Sequence, residues 1–222
     1  MDTRARAARL LFIAVLTTSL TATTTSARAV TLGVQLGLNG SGLDGDTPPN
    51  SEYINKVGVV AGIQGEIPIG RGLSLGLQPS FVQKKSGILM APTTRGGSTT
   101  ELELTFDYFS IPAVVKFAMA GGRTFVSGGL TADFLSSAKL SGAGSDRDVK
   151  SAFNGTDLGA LLGLGAVFPV RGTRLTTELR LVQGIANMTT GKAAAASGAL
   201  APRLHSTGVQ LIVGDLFSIG GR

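Results

Sequence analysis

Residues 31–39, Thr-Leu-Gly-Val-Gln-Leu-Gly-Leu-Asn, alternate apolar side chains with small or polar ones. Successive side chains of a β-strand point to opposite faces, so Leu32, Val34 and Leu36 share one face. Strands of transmembrane barrels carry this pattern, with the apolar face toward lipid and the small or polar face toward the lumen. The stretch therefore predicts a barrel strand.

Seven further segments carry the same alternation. They run over 57–69, 73–84, 101–117, 124–135, 157–168, 175–181 and 205–217. The segment 101–117 differs from the others because its apolar residues change parity near Pro112. Proline cannot donate to the sheet ladder and is tolerated at bulges. We therefore expect a one-residue bulge near Pro112 that keeps Leu104 and Val115 on the same outer face.

The connections between these segments alternate in length. Short turns fall at 68–72, 120–123 and 169–173. Long polar loops fall at 40–56, 86–100, 139–156 and 186–204. Bacterial outer-membrane barrels combine short periplasmic turns at one rim with longer extracellular loops at the other. The order predicts an all-β fold, an eight-stranded antiparallel up-and-down transmembrane β-barrel with both mature termini in the periplasm.

The N-terminal segment has the features of a cleavable signal peptide. Arg4, Arg6 and Arg9 precede an apolar run at 10–16, and Ala27-Arg28-Ala29 offers small residues for cleavage. The run is shorter than the about 20 apolar residues of a transmembrane helix. We expect residues 1–29 to be a signal peptide and residues 30–222 to be one barrel domain. The chain contains no cysteine, so no disulfide framework supports that domain.

Polar residues on the inward face predict a network inside the barrel. An eight-stranded barrel is just wide enough for its own side chains or one small ligand. A buried charge needs a partner, so we expect a structural network centred on Glu178 and Arg180. Its predicted members are Gln64, Glu66, Gln78, Asp133, Asp157, Glu178, Arg180 and Gln210.

Charge and composition argue against several classes of function. The formal net charge of +6 includes four arginines and one aspartate of the signal segment, so residues 30–222 carry only +3. These residues contain no stripe of Lys and Arg of the kind that binds nucleic acid. The single histidine, His205, adjoins Ser206, and neighbouring strand residues face opposite sides, so they cannot form a nucleophile and base pair. We expect His205 to be exposed at a rim.

The first long loop is the place to look for a bound ion or a protein partner. Asp44, Asp46 and Glu52 could offer oxygen ligands to calcium, but their spacing is irregular. Tyr53 in the same loop is a candidate partner contact. We expect no metal site, no cofactor and no catalytic residue.

Several motifs resemble a known family. They are Leu36-Gly37-Leu38-Asn39, Leu77-Gln78-Pro79-Ser80-Phe81, Asp107-Tyr108-Phe109-Ser110-Ile111-Pro112 and Glu178-Leu179-Arg180. In order and spacing the chain resembles the PorT-like outer-membrane β-barrel family, also called the outer membrane protein β-barrel domain. The resemblance implies an outer-membrane barrel and leaves activity open, because fold does not determine function.

The sequence predicts an integral barrel of the Gram-negative outer membrane with a structural or surface-interaction role. Its expected partners are outer-membrane lipid, the outer-membrane assembly machinery and a protein at the extracellular loops. Two alternatives remain open. One is a secreted or periplasmic lipocalin-like barrel that holds a small apolar ligand with its leucine-rich faces turned inward. The other is a narrow solute channel. Ten Phe, two Tyr and no Trp predict a thin aromatic girdle.

Overall fold

The computed structural model of the protein describes residues 30–45, 50–92, 98–142, 144–190 and 203–219. The predicted signal peptide, residues 1–29, lies outside the described residues. The described strands are β1 (Val30–Gly45), β2 (Ser51–Gly70), β3 (Leu73–Leu77), β4 (Ser80–Met90), β5 (Thr100–Met119), β6 (Thr124–Gly142), β7 (Ser145–Asp148), β8 (Thr156–Val170), β9 (Thr173–Gly184) and β10 (Leu204–Ile219). Single 3-10 turns lie at Ala120–Gly122 and Lys150–Ala152. No helix in these ranges is long and apolar enough to cross a membrane.

The strands close into one antiparallel ring. β1 pairs with both β2 and β10, which joins the two ends of the sheet. β3 and β4 share one position in the ring, since both lie between β2 and β5. β7 is a short extra strand paired with the end of β6. The ring therefore has eight positions, and the predicted eight-stranded up-and-down barrel is confirmed.

Three short turns lie at the same end of the barrel, here called the short-turn rim. Arg71-Gly72 joins β2 to β3, and Arg171-Gly172 joins β8 to β9. Gly72 and Gly172 have φ values of 73° and 86°. Glycine adopts this left-handed region without steric cost, which explains its place in both turns. The opposite end of the barrel is here called the long-loop rim. The loops predicted at 40–56 and 86–100 are shorter than expected, because β1 continues to Gly45, β2 begins at Ser51 and β4 continues to Met90.

Outside the long-loop end, the outer face of the barrel is largely apolar, as the sequence predicts. Leu36 is 66% exposed and Leu162 is 68% exposed, although both are leucines in regular strands. Exposed large apolar side chains occur on every ring position, which is the surface that a lipid bilayer covers. The lipocalin-like alternative requires these faces to point inward, so it is wrong for this structure.

Outward-facing phenylalanines mark both edges of the apolar band. Phe81, Phe109 and Phe134 are register neighbours across β4, β5 and β6. Near the short-turn rim, Phe117 and Phe168 are each 49% exposed. Aromatic residues at the two membrane interfaces are typical of transmembrane barrels. The girdle is thin, as expected, and consists of phenylalanine.

The predicted bulge at Pro112 is wrong. In β5 the buried side chains keep one parity from Leu104 to Lys116, with Pro112 among them. The bulge lies opposite, in β6, where Asp107 pairs with Ser137 and Tyr108 with Leu135. The apolar residues at 102–108 change parity for a different reason, since they fill the interior of the barrel. They do not face lipid.

The long-loop end of the barrel, here called the collar, reverses the polarity of the membrane band. Its interior is an apolar cluster of Leu43, Leu104, Phe106, Tyr108, Leu135, Ala138, Met188 and Leu204. Its outer face carries ion pairs, such as Lys85 with Glu103 at 3.2 Å. Lys56 also donates a hydrogen bond to Glu101, and that bond raises the pKa of the Lys56 ammonium above its ordinary value. An apolar inside and a charged outside are the arrangement expected of a β-barrel in water.

Candidate functional site: charge layers in the lumen

The interior below the collar contains the predicted polar residues. Their side chains alternate with the lipid-facing ones along each strand, so they all point into the lumen. All eight predicted members of the network are at most 8% exposed: Gln64, Glu66, Gln78, Asp133, Asp157, Glu178, Arg180 and Gln210. Because these side chains are buried, their charges depend on one another for stabilisation.

Arg180 and Glu178 form one of three charge clusters that the structure describes in the lumen. Arg180 Nη2 lies 3.0 Å from Glu178 Oε2, and Arg180 Nε donates to Glu178 Oε1 at 3.1 Å. Arg180 Nη2 also donates to Gln78 Oε1 at 2.7 Å. Ser127 Oγ donates to Glu178 Oε1 at 2.7 Å. This Arg180 cluster joins β6, β9 and the segment between β3 and β4, so it ties together ring positions that are far apart in sequence.

Lys84 lies at the centre of the second cluster. Its Nζ donates to Asp133 Oδ2 at 2.8 Å, to Asp157 Oδ2 at 3.0 Å and to Ser206 Oγ at 3.0 Å. All three N–H donors of the ammonium are therefore used. Ser110 Oγ donates to the other oxygen of Asp133 at 2.5 Å. In this Lys84 cluster one cation is shared by two buried carboxylates.

A third cluster lies nearer the short-turn rim. Lys116 donates a hydrogen bond to Glu66, and both side chains are at most 10% exposed. The Lys116 Nζ also lies 4.9 Å from the centre of the Phe125 ring, within the range of a cation–π contact. The Lys116 pair is thus satisfied locally.

These contacts differ from the predicted network. The prediction gave one network centred on Glu178 and Arg180. The described residues instead form three clusters, and Asp133 and Asp157 belong to Lys84. Lys116 was missed, although its alternation with Val115 and Phe117 placed it on the inward face. Gln64 is buried, but its Nε2 has no hydrogen-bond partner among the described residues.

The lumen is nearly filled between the Lys84 and Arg180 clusters. The gap there is about 10 Å³, with Lys84, Arg180 and Gln210 among its lining residues, and this is about the smallest space that holds one water. Close packing also explains inward glycine in β8. A Cβ added to Gly163 would lie 2.5 Å from Glu178 Oε1. Side chains therefore block the barrel at this level.

The other residues that the sequence suggested as candidates, from His205 to Tyr53, lie in different parts of the structure. His205 is half-buried, not exposed as expected, and its Nδ1 lies 3.1 Å from the Ala186 carbonyl oxygen. Ser206 points inward to Lys84 and Asp157. In the first long loop Asp46 lies outside the described residues. Tyr53 packs against the apolar cluster of the collar, so it is not displayed on a loop surface.

Comparison with known proteins assigns the family. The model of the outer membrane protein beta-barrel domain matches residues 19–190. The chain belongs to this family. It is therefore an outer-membrane barrel, and the same localisation was predicted from its strands. No curated protein sequence matches the chain significantly.

Solved structures of distant barrels are also similar. Ail, the attachment invasion locus protein of Yersinia pestis, in complex with the heparin analogue sucrose octasulfate, has 16% identity and a TM-score of 0.48, covering 86% of this chain and 99% of Ail. Neisserial surface protein A has 15% identity and a TM-score of 0.43, covering 82% and 95%. OprG from Pseudomonas aeruginosa has 8% identity and a TM-score of 0.44, covering 88% and 97%.

Proposed function

We propose that this protein is a non-catalytic outer-membrane barrel of the PorT-like type that acts through its collar, while its lumen is closed to solutes. The reversal of polarity above Phe81, Phe109 and Phe134 is the observation that carries this proposal. A barrel with only a membrane-anchoring role has no need of strands that continue past the apolar band. Here β5 continues from Phe109 to Thr100 with charged residues outside.

The collar is built as a rigid platform. Phe106 and Phe153 pack edge to face, with ring centres 4.8 Å apart and planes at 83°. Phe106 and Tyr108 are each only 1% exposed. Function commonly resides in loops that a rigid scaffold positions. The packed interior of the collar supports a role in surface interaction because it positions the long loops and holds the outward ion pairs in place.

The packing of side chains in the lumen supports a barrel that is closed to solutes. The Lys84 and Arg180 clusters join side chains from several strands across the ring, and the gap between them has room for about one water. His205 and Ser206 face opposite sides, which leaves no nucleophile and base pair at that site. We accordingly propose a structural role for the lumenal charges and neither conduction nor catalysis.

The proposed orientation puts the short-turn rim and both mature termini in the periplasm, as in outer-membrane barrels generally. Residues 1–29 would direct export and be removed, and the outer-membrane assembly machinery would insert the barrel. An extracellular collar would then meet partners in the surrounding medium, with a protein partner at the long loops.

Cysteine labelling tests this proposal, because the natural chain has no cysteine. Glu52→Cys lies at the exposed long-loop rim and Arg171→Cys in an exposed short turn. A membrane-impermeant maleimide should label Glu52→Cys on intact cells and Arg171→Cys only after the outer membrane is permeabilised. The reverse pattern would refute the orientation.

Two further measurements test the remaining parts. In separated membranes, the unboiled protein should run as a compact band in the outer-membrane fraction and shift on boiling. In planar bilayers the purified barrel should show no steady conductance. A soluble band without a heat shift would contradict the membrane barrel, and stepwise ion currents would contradict the closed lumen.

A further inference from the structure

A large cavity opens at the short-turn rim, on the opposite side of the charge layers from the collar. Its volume is about 670 Å³. Cavities of roughly 300–1,000 Å³ are typical of sites for small molecules. The Arg180 cluster lies directly above Thr176, which lines the cavity, and fills the lumen there. The cavity is therefore a dead end, suited to holding a ligand and not to passing one.

The cavity has an excess of positive charge. Its lining includes three cations, Arg71, Lys116 and Arg174, and one carboxylate, Glu66. Glu66 is already paired with Lys116. Arg174 Nη2 donates to the neutral hydroxyl of Thr31 at 2.9 Å. Within the described ranges neither Arg71 nor Arg174 has a carboxylate partner, so two guanidinium groups remain uncompensated.

The rest of the wall combines apolar side chains with the hydroxyl groups of Thr31, Ser74, Thr176 and Ser218. Phe125 and Leu216 are at most 4% exposed, and Leu73 and Val167 also line the cavity. A guanidinium group offers a fork of N–H donors that matches phosphate and carboxylate oxygens. Low-dielectric walls around a charged cleft strengthen the field that attracts a counter-ion. The cavity thus combines recognition of an anion with a surface for an apolar body.

We propose that this cavity binds a small organic anion that joins a phosphate or carboxylate group to a compact apolar body. The acidic group lies between Arg71 and Arg174, and the apolar part lies against Phe125 and Leu216. This site is separate from the collar and does not depend on which rim faces the periplasm.

Calorimetric titration of the barrel in non-ionic detergent tests the proposal. Phenyl phosphate and benzoate are the probes, benzyl alcohol supplies a similar body without the charge, and inorganic phosphate supplies the charge without the body. Saturable one-to-one binding of phenyl phosphate or benzoate is expected, with weaker binding of both comparison compounds. No saturable binding of either probe, or equal affinity for benzyl alcohol, would overturn the proposal.

Matched arginine variants separate the cavity from the general charge of the rim. Arg71→Gln with Arg174→Gln should raise the Kd at least about tenfold, since each loses a charged hydrogen bond. Arg123→Gln with Arg171→Gln removes the same charge from exposed residues outside the cavity lining and should change the Kd less than about twofold. Both variants must first show the heat-shifted folded band. Equal weakening by the two pairs would overturn the proposed site.

Discussion

Replacing Lys84 with methionine should strongly destabilise the barrel. Methionine keeps most of the side-chain volume, so the change mainly removes the charge and its three hydrogen bonds. Asp133 and Asp157 then remain buried without their shared cation, and Asp157 Oδ1 already has no partner among the described residues. Removing one partner of a buried ion pair costs about 3–5 kcal/mol. We expect a loss of this size in the free energy of unfolding.

The neighbouring residue on the same strand provides the control. Lys85 faces outward and pairs with Glu103 at 3.2 Å, with side chains 27% and 34% exposed. Lys85→Met should cost about 0–1 kcal/mol, as exposed pairs do. Urea titration, followed by the folded band on unboiled gels, measures both. Adding Asp133→Asn and Asp157→Asn to Lys84→Met should recover most of the loss.

The reasoning about the Lys84 cluster would be refuted by equal stability of the two single variants. It would also be refuted if the triple variant were as unstable as Lys84→Met alone. That second result would show that packing of the long lysine side chain matters, and not the two uncompensated carboxylates.

Three other predictions use the same titration. Arg180→Leu leaves the carboxylate of its partner buried and should cost about 3–5 kcal/mol; an unchanged midpoint would contradict the pairing. Phe106→Ala opens a cavity in the collar and should cost about 3–5 kcal/mol, whereas Phe109→Ala faces lipid, which fills the space, and should cost clearly less. Leu162→Arg puts a charge in the apolar band and should lower the free energy of unfolding by about 2–4 kcal/mol. Thr105→Arg, on the outer face of the collar, should lower it by only about 0–1 kcal/mol.

The two halves of the barrel have different stabilising forces. In the membrane band the outside is solvated by lipid and the inside is held by paired charges. In the collar the outside is solvated by water and the inside is held by apolar packing. Strand β5 crosses both environments, and its backbone ladder to β6 runs from Glu103 to Met119 with one bulge, in β6 opposite Asp107 and Tyr108. The same pair of strands therefore lines a charged interior in the membrane band and an apolar interior in the collar.

The sequence alone determined the number of strands, the faces within the membrane band and the short turns. These features are local. Side-chain direction alternates with every residue of a strand, and a turn such as Arg71-Gly72 needs a glycine at positive φ. That is why the lipid-facing residues of β1 and the inward position of Arg180 could be assigned from pattern.

The tertiary structure alone decided which inward charges meet and where the barrel leaves the membrane. Lys84 contacts Asp133 and Asp157, which are 49 and 73 residues away in the chain. Such pairs depend on the stagger of strands around the closed ring, which no single strand encodes. The alternation of side chains shows that Leu104 and Phe106 lie on the same face of β5. It does not show whether that face contacts lipid or points into the barrel. Only the closed collar, with its partners from the other strands, resolves that choice.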